Sequence, residues 1–116
     1  MEDEGKRLNE KFFFNMKYKR PLVSLKYAMS LDGKIATETY DSKRISGEKS
    51  RAYVHKLRND YDAIIIGKNT LLKDKARLNC RLKDGVDPIR VIVASDLAFD
   101  PDLDIFNLES DKKTYI

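Results

Sequence analysis

The sequence predicts an α/β layered fold with a mostly parallel central sheet. Two continuous apolar runs rich in β-branched residues, at positions 63–66 and 90–94, are typical of strands that are buried on both faces. Segments with helical spacing alternate with these runs, and parallel strands need such helical connections. We expect a single domain, because 116 residues suffice for one modest core and not for two.

Two elements are predicted before residue 40. A helix over residues 3–17 presents four apolar side chains at helical spacing, which predicts a stripe that faces a core. These side chains are Leu8, Phe12, Phe13 and Met16. After a break at Pro21, residues 22–29 are predicted to form the first strand, and residues 31–34 a turn in which Gly33 adopts a positive φ.

Lys26 lies in the middle of this first predicted strand, between Leu25 and Tyr27. A charge among buried apolar side chains is costly, and proteins accept that cost where a ligand or a reaction uses the charge. An edge strand whose lysine points to water would produce the same pattern. The segment alone leaves both interpretations open.

The later elements follow one another closely. Ser46 is predicted to cap a helix that ends near residue 59, with Glu48 at the positive end of its dipole. The strand at 63–66 is closed by Gly67, and a short helical turn over 69–73 precedes the strand at 90–94. Residues 113–116 begin one more strand, so we expect a truncated sheet and a chain that is a fragment.

Composition excludes several classes of function. No apolar run approaches the roughly 20 residues that span a bilayer, so we expect no membrane contact. The charged N-terminus is unlike a secretory signal, and Cys80, the single cysteine, cannot form an internal disulfide, which predicts a cytoplasmic protein. With one cysteine and one histidine, we expect no metal site. A net charge of +4 permits an anionic partner without identifying it.

Polar side chains follow three predicted strands, at residues 28–32, 67–70 and 94–96. Ligands of parallel α/β sheets bind outside the carboxyl ends of the strands, so Thr70 and Ser95 could contact an anion. Both are also ordinary turn residues. Neither a P-loop nor a Gly-x-Gly-x-x-Gly turn is present. Among the arginines, Arg77 and Arg81 flank a loop, where a guanidinium could bind a phosphate through two parallel hydrogen bonds.

Six segments, in this order, resemble one family. They are SLKYAMSLDGKIA, DSKRISG, VHKLR, DAIIIGKNTLLKD, RLNCR and PIRVIVAS. With the helix before them they resemble the reductase (C-terminal) domain of RibD, the bifunctional deaminase/reductase of riboflavin biosynthesis. The resemblance implies a dihydrofolate-reductase-like fold, with residues 1–20 as a connector helix and linker and residues 21–116 as the N-terminal part of the reductase domain.

The resemblance also implies an activity, which is the NADPH-dependent reduction of the ribosyl group of 5-amino-6-(5-phosphoribosylamino)uracil by a homodimeric enzyme. The substrate-binding positions of the family fall on Ser42, Arg58, Leu78 and Arg81. Its cofactor-binding positions fall on Ala28, Arg44, Thr70, Asp74 and Ser95. Lys26 is the residue that we expect to polarise or protonate the sugar near C1′.

The sequence departs from the family at several places. Arg44 stands where many members have tryptophan, and residues 73–75 (KDK) replace the usual Asp-Asp-Pro. A later Gly-Gly segment that holds cofactor phosphates does not occur before residue 116, so we expect weak or no turnover by these residues alone. The zinc signature of the deaminase is absent, so we expect no deamination.

Two other functions remain open at this point. The chain could reduce another pterin or pyrimidine on the same fold, because a fold does not determine a substrate. It could also be a non-catalytic module that binds nucleic acid through its basic charge. Charges of both signs are mixed along the chain, so we expect no nucleic-acid partner.

Overall fold

The computed structural model describes residues 2–39, 42 and 45–116, which belong to two compact units, Met1–Ile45 and Ser46–Ile116. The first unit contains α1 (Glu2–Leu8) and α2 (Glu10–Tyr18). The second contains α3 (Glu48–Asp60), β1 (Ala63–Gly67), α4 (Lys68–Asp74), β2 (Ile89–Val93) and β3 (Thr114–Tyr115). No helix of these residues is long and apolar enough to cross a membrane.

The helix predicted over residues 3–17 is in fact two helices that meet at Asn9. The side-chain Nδ2 of Asn9 donates to the carbonyl oxygen of Gly5 at 3.1 Å, and such a local bond competes with helix propagation. The prediction that the apolar stripe is buried is wrong, because Phe12 and Phe13 are exposed. A helix buries a stripe only against another element, and short α1 is the only other helix or strand in the described part of this unit.

The strand predicted at residues 22–29 is also wrong, since no strand forms there. Val23 and Leu25 are 73% and 85% exposed, and Lys26 is exposed as well. A strand needs a partner with which to exchange backbone hydrogen bonds, and the described residues of this unit contain no second strand. The turn that follows is confirmed, because Gly33 has a φ of 80° and its N–H donates to the carbonyl oxygen of Ser30 at 3.0 Å.

The second unit contains a parallel three-stranded sheet in the order β1-β2-β3, which confirms the predicted α/β class. α3 begins after Gly47, so the predicted cap at Ser46 is wrong by one residue. β1 is an edge strand of this sheet, and its burial alternates, with Ile65 60% exposed. The prediction that this strand is buried on both faces is therefore wrong.

The core of the second unit lies on one face of this sheet. α4 packs on β1 and β2. The fully buried apolar side chains are those of Leu71, Leu78, Ile92 and Ile105. The register pairs Gly67, the last residue of β1, with Val93, the last residue of β2. The residues that follow these two strands therefore emerge side by side where the strands end, at the side of the sheet that we call its carboxyl edge.

Candidate functional site

A cluster of cationic side chains lies where α3 meets the loop between α4 and β2. Nη1 of Arg58 donates to the carbonyl oxygen of Asn79 at 3.0 Å and lies 3.5 Å from Nδ1 of His55. Burial, followed by the charges of Arg58 and Arg81, lowers the pKa of His55 below its ordinary value. Burial and the charge of Arg81 lower the pKa of Arg58 too, although a guanidinium stays protonated near neutral pH. The cluster is therefore a concentration of positive charge with a neutral imidazole beside it.

Two buried polar atoms in this cluster have no hydrogen-bond partner among the described residues. They are Nε of Arg58, a donor, and Oδ1 of Asn79. Leaving a buried polar group unpaired costs about 1–3 kcal/mol, so native structures seldom do so without a reason. An anion that binds beside Arg58 would supply an acceptor for the unpaired donor, with a strong charge-assisted bond.

The loop that presents the cluster is fixed by Asp87. Its Oδ1 accepts the backbone N–H of Cys80 at 2.6 Å, and its Oδ2 lies 3.5 Å from Nη1 of Arg90 in β2. Sγ of Cys80 packs against the backbone, 3.6 Å from the carbonyl oxygen of His55. A Cβ at Gly85 would come within 2.6 Å of that sulfur and 3.2 Å of the carbonyl oxygen of Leu82, so a larger residue there would displace the thiol or the turn. These contacts hold the backbone on both sides of Arg81.

Leu78 occupies an unusual position in the same loop. Its side chain is only 5% exposed and belongs to the core, while its backbone has a φ of 60°, in the left-handed region that leucine seldom adopts. A side chain that is committed to the core cannot reach a ligand. If Leu78 contacts a substrate, it does so through its backbone.

A second group of polar side chains lies at the carboxyl edge of the sheet. Lys68 follows β1, and its Nζ donates to the carboxylate of Asp96, beyond the end of β2. The same Nζ lies 4.7 Å from the ring centroid of Phe99. Thr70 and Ser95 are exposed near these residues in the sequence, so hydroxyl groups and a compensated ion pair are available to a ligand there.

The structure places the site residues expected from the sequence in three groups. Arg58, Leu78 and Arg81 belong to the α3–loop region, while Thr70, Asp74 and Ser95 belong to α4 and the segment after β2. Lys26, Ala28 and Ser42 lie in the first unit, where Lys26 and Ser42 are exposed and Ala28 is half-buried. Arg44 lies outside the described residues. In the described part of the chain, no group of acidic, histidine or cysteine side chains could hold a metal ion.

Sequence reasoning missed four members of these groups, which are His55, Asn79, Lys68 and Asp96. One signal was available for His55, because it precedes Arg58 by three residues, and residues at that spacing share a helix face. The contact between Arg58 and Asn79 joins residues 21 positions apart, and no pattern in the sequence indicates it.

Comparison with known proteins gives one consistent answer. The RibD C-terminal domain family matches residues 21–116. The chain is 39% identical over 116 residues to the riboflavin biosynthesis protein RibD of Actinobacillus pleuropneumoniae, an alignment that covers 100% of this chain and 31% of that protein. It is 46% identical over 94 residues to the 2,5-diamino-6-ribosylamino-4(3H)-pyrimidinone 5′-phosphate reductase of Methanothermobacter thermautotrophicus, which covers 78% of this chain and 43% of that protein.

A solved structure extends this similarity to the fold. The diaminohydroxyphosphoribosylaminopyrimidine deaminase/5-amino-6-(5-phosphoribosylamino)uracil reductase of Thermotoga maritima has a TM-score of 0.85 and 42% identity, and the match covers 97% of this chain and 32% of that one. The chain thus spans about a third of the length of the RibD proteins that it matches. Since the family match includes residues 21–116, most of the sequence, the chain belongs to the RibD C-terminal domain family.

Proposed function

We propose that this chain carries part of the site that reduces the ribosyl group of 5-amino-6-(5-phosphoribosylamino)uracil to a ribityl chain, with NADPH as the reductant. The observation that carries the proposal is the Arg58–Arg81 cluster, in which a buried N–H lacks a partner among the residues that the structure describes. A sugar phosphate is an anion with several acceptor oxygens, which is the group that such a cluster would bind. The names of the Methanothermobacter and Thermotoga relatives, both reductases of ribosylaminopyrimidine phosphates, support the same choice.

In this proposal the α3–loop region binds the substrate's phosphate. Arg58 is oriented by Asn79 and His55, which engage Nη1, and its buried Nε N–H is the donor for which we propose the anion as acceptor. Arg81 adds the second positive charge. The family resemblance implies two further substrate contacts, which are Leu78, through its backbone, in the second unit and the hydroxyl of Ser42 in the first.

The side chains at the sheet edge suit a nicotinamide cofactor. Hydroxyl groups at Thr70 and Ser95 and the ammonium group of Lys68 are partners for its phosphates, and the carboxylate of Asp74 is a partner for a ribose hydroxyl. Ala28 and Arg44 are the remaining cofactor contacts that we propose. The cofactor, when bound, supplies a hydride to the substrate's C1′. The task of the protein is to orient the two molecules and exclude water. That the enzyme is a homodimer stays a prediction from the resemblance, and that it is cytoplasmic stays a prediction from the composition.

We propose that Lys26 donates a proton, or a hydrogen bond, to the substrate next to C1′. Lys26→Gln is then expected to lower kcat in the intact protein by about 100-fold or more, which is typical when a general acid is lost, with little change in substrate KM. Steady-state NADPH oxidation measures both constants. Lys34→Gln, which removes another exposed cation of the same unit, is the control and should leave kcat unchanged. An unaltered kcat for Lys26→Gln would remove this residue from the mechanism.

The substrate's phosphate distinguishes the proposed reaction from that of a reductase for another pterin or pyrimidine. We expect calorimetry to show that the intact protein binds the phosphorylated substrate at least about 30-fold more tightly than the dephosphorylated one, because charge-assisted hydrogen bonds contribute about 2 kcal/mol or more. Equal affinity for the two compounds would contradict the proposal and favour a substrate that lacks a phosphate.

A further inference from the structure

We propose that Lys68 and Asp96 form a specificity-determining pair, which decides whether the cofactor site prefers a ribose that carries a 2′-phosphate to a ribose with a free 2′-hydroxyl. The proposal rests on the proposed function, because it requires that a nicotinamide cofactor bind at the carboxyl edge of the sheet. It adds two residues to which the family resemblance gives no role.

The position of the pair follows from the strand register. β1 and β2 end opposite one another at Gly67 and Val93. Lys68 is the first residue after β1, and Asp96 is three residues beyond the end of β2. The ion pair therefore connects the two chain segments that carry the proposed cofactor contacts, Thr70 and Ser95.

The pair is built so that both charges stay on the protein surface. The side chain of Lys68 is 19% exposed, with its ammonium group against the face of Phe99, while that of Asp96 is 54% exposed. Oδ1 of Asp96 accepts hydrogen bonds from Lys68 and from the backbone N–H of Ala98, the latter at 2.9 Å. These bonds lower the pKa of Asp96, so its carboxylate is ionised at neutral pH.

The two charges have opposite effects on a cofactor. A carboxylate beside the ribose accepts a hydrogen bond from a free 2′-hydroxyl and repels a phosphate, as in NAD-binding proteins. An ammonium group attracts a phosphate. While Lys68 and Asp96 are paired, the ammonium group compensates the negative charge of the carboxylate. Lys68 can then release Asp96 and bind a cofactor phosphate while it stays at the carboxyl edge of the sheet. Removal of either charge should therefore shift the preference in a predictable direction.

The test uses two probes that differ only in the 2′-phosphate, 2′,5′-ADP and 5′-AMP, with affinities measured by calorimetry on the intact protein. We expect Lys68→Gln to lower the preference for 2′,5′-ADP by about 10-fold, because an unscreened carboxylate remains near the phosphate. Asp96→Asn is expected to raise that preference several-fold, because Lys68 loses its internal partner. Lys83→Gln removes an equal charge from an exposed loop position and should leave the ratio unchanged.

A readout that needs no ligand accompanies these affinities. In the free protein, Lys68→Gln should raise the pKa of Asp96, measured from its carboxyl carbon by NMR, because Lys68 is the main cause of its lowered value. Suppose that this pKa rises and the ratio of the affinities for 2′,5′-ADP and 5′-AMP stays constant in both variants. The pair then only joins the two segments, and the inference is wrong. If the unaltered protein binds neither probe nor NADPH, the proposed cofactor is wrong and the inference falls with it. Should Lys68→Gln fail to fold, the Asp96→Asn ratio decides.

Discussion

Replacing Arg58 by glutamine is expected to weaken binding of the phosphorylated substrate by about 30- to 150-fold. This range corresponds to about 2–3 kcal/mol, the usual contribution of hydrogen bonds made by a charged group. Glutamine keeps an amide donor on a flexible chain, but it loses the charge and the planar fork that fits a phosphate. It also lacks the Nε donor of Arg58, which is buried without a partner in the described part of the chain, so the group that we expect a ligand to satisfy is gone.

Two controls make this result specific to the phosphate. Lys56→Gln removes the same charge from an exposed position of the same helix, and its affinity should change by less than about 3-fold, since exposed charges contribute little. The dephosphorylated substrate should bind equally well to Arg58→Gln and to the unaltered protein. If Arg58→Gln weakened both compounds to the same extent, Arg58 would shape the pocket without binding the phosphate. Thermal unfolding of each variant checks that the fold is intact.

How much of the fold could be predicted from the sequence differs between the two units. The strand at 63–66 and the strand at 90–94 are recognisable from local composition, and both exist within about one residue of the predicted bounds. The degree of burial could not be predicted, because it depends on what covers each face. Ile65 has the composition of a buried residue and is exposed at a sheet edge. The prediction of a strand at residues 22–29 fails for the same reason, since no strand pairs with this segment among the described residues of its unit.

The candidate site shows a similar division. The family resemblance assigns substrate roles to Arg58 and Arg81, and these roles stay predictions, while the structure brings both residues into the cationic cluster. The groups that modify them could not be predicted, since they depend on where the loop before β2 folds. Asn79 contacts Arg58 from a loop in which the next residue, Cys80, is held by Asp87, and Lys68 meets Asp96 beyond two parallel strands that end in register. Such contacts between distant positions are set by tertiary structure. The sequence indicates that residues 67–70 and 94–96 follow parallel strands, but it does not indicate which side chains pair there.

Arg90 is the buried charge on which the sheet of the second unit depends. It is 2% exposed, and its guanidinium connects β2 to the segment at residues 110–114 and to Asp87 in the loop before β2. Nε donates to Oγ1 of Thr114 in β3 at 2.9 Å, and Nη2 donates to the carbonyl oxygen of Lys112. Nη1 lies 3.3 Å from Oγ of Ser110 and 3.5 Å from Oδ2 of Asp87. Removing this side chain takes away the guanidinium donor that the carbonyl oxygen of Lys112 and Oδ2 of Asp87 share, and Asp87 is the residue whose Oδ1 fixes the loop of the cationic cluster.

Arg90→Met, which keeps most of the side-chain volume, is therefore expected to lower the free energy of unfolding by about 3–5 kcal/mol, the usual cost of removing one partner of a buried ion pair. That is a large part of the about 5–15 kcal/mol that stabilises a typical domain, so urea denaturation should show a much lower midpoint or a protein already partly unfolded. The matched control is Arg77→Met, whose ion pair with Asp104 spans 2.8 Å between side chains that are 50% and 54% exposed. It should cost less than about 1 kcal/mol, because exposed pairs are screened by solvent. Equal midpoints for the two variants would show that the buried network contributes no more than a surface pair.

If the expected difference is found, and Arg90→Met also weakens phosphate binding under conditions where it is still folded, the Asp87 contact connects the stability of the sheet to the position of Arg81.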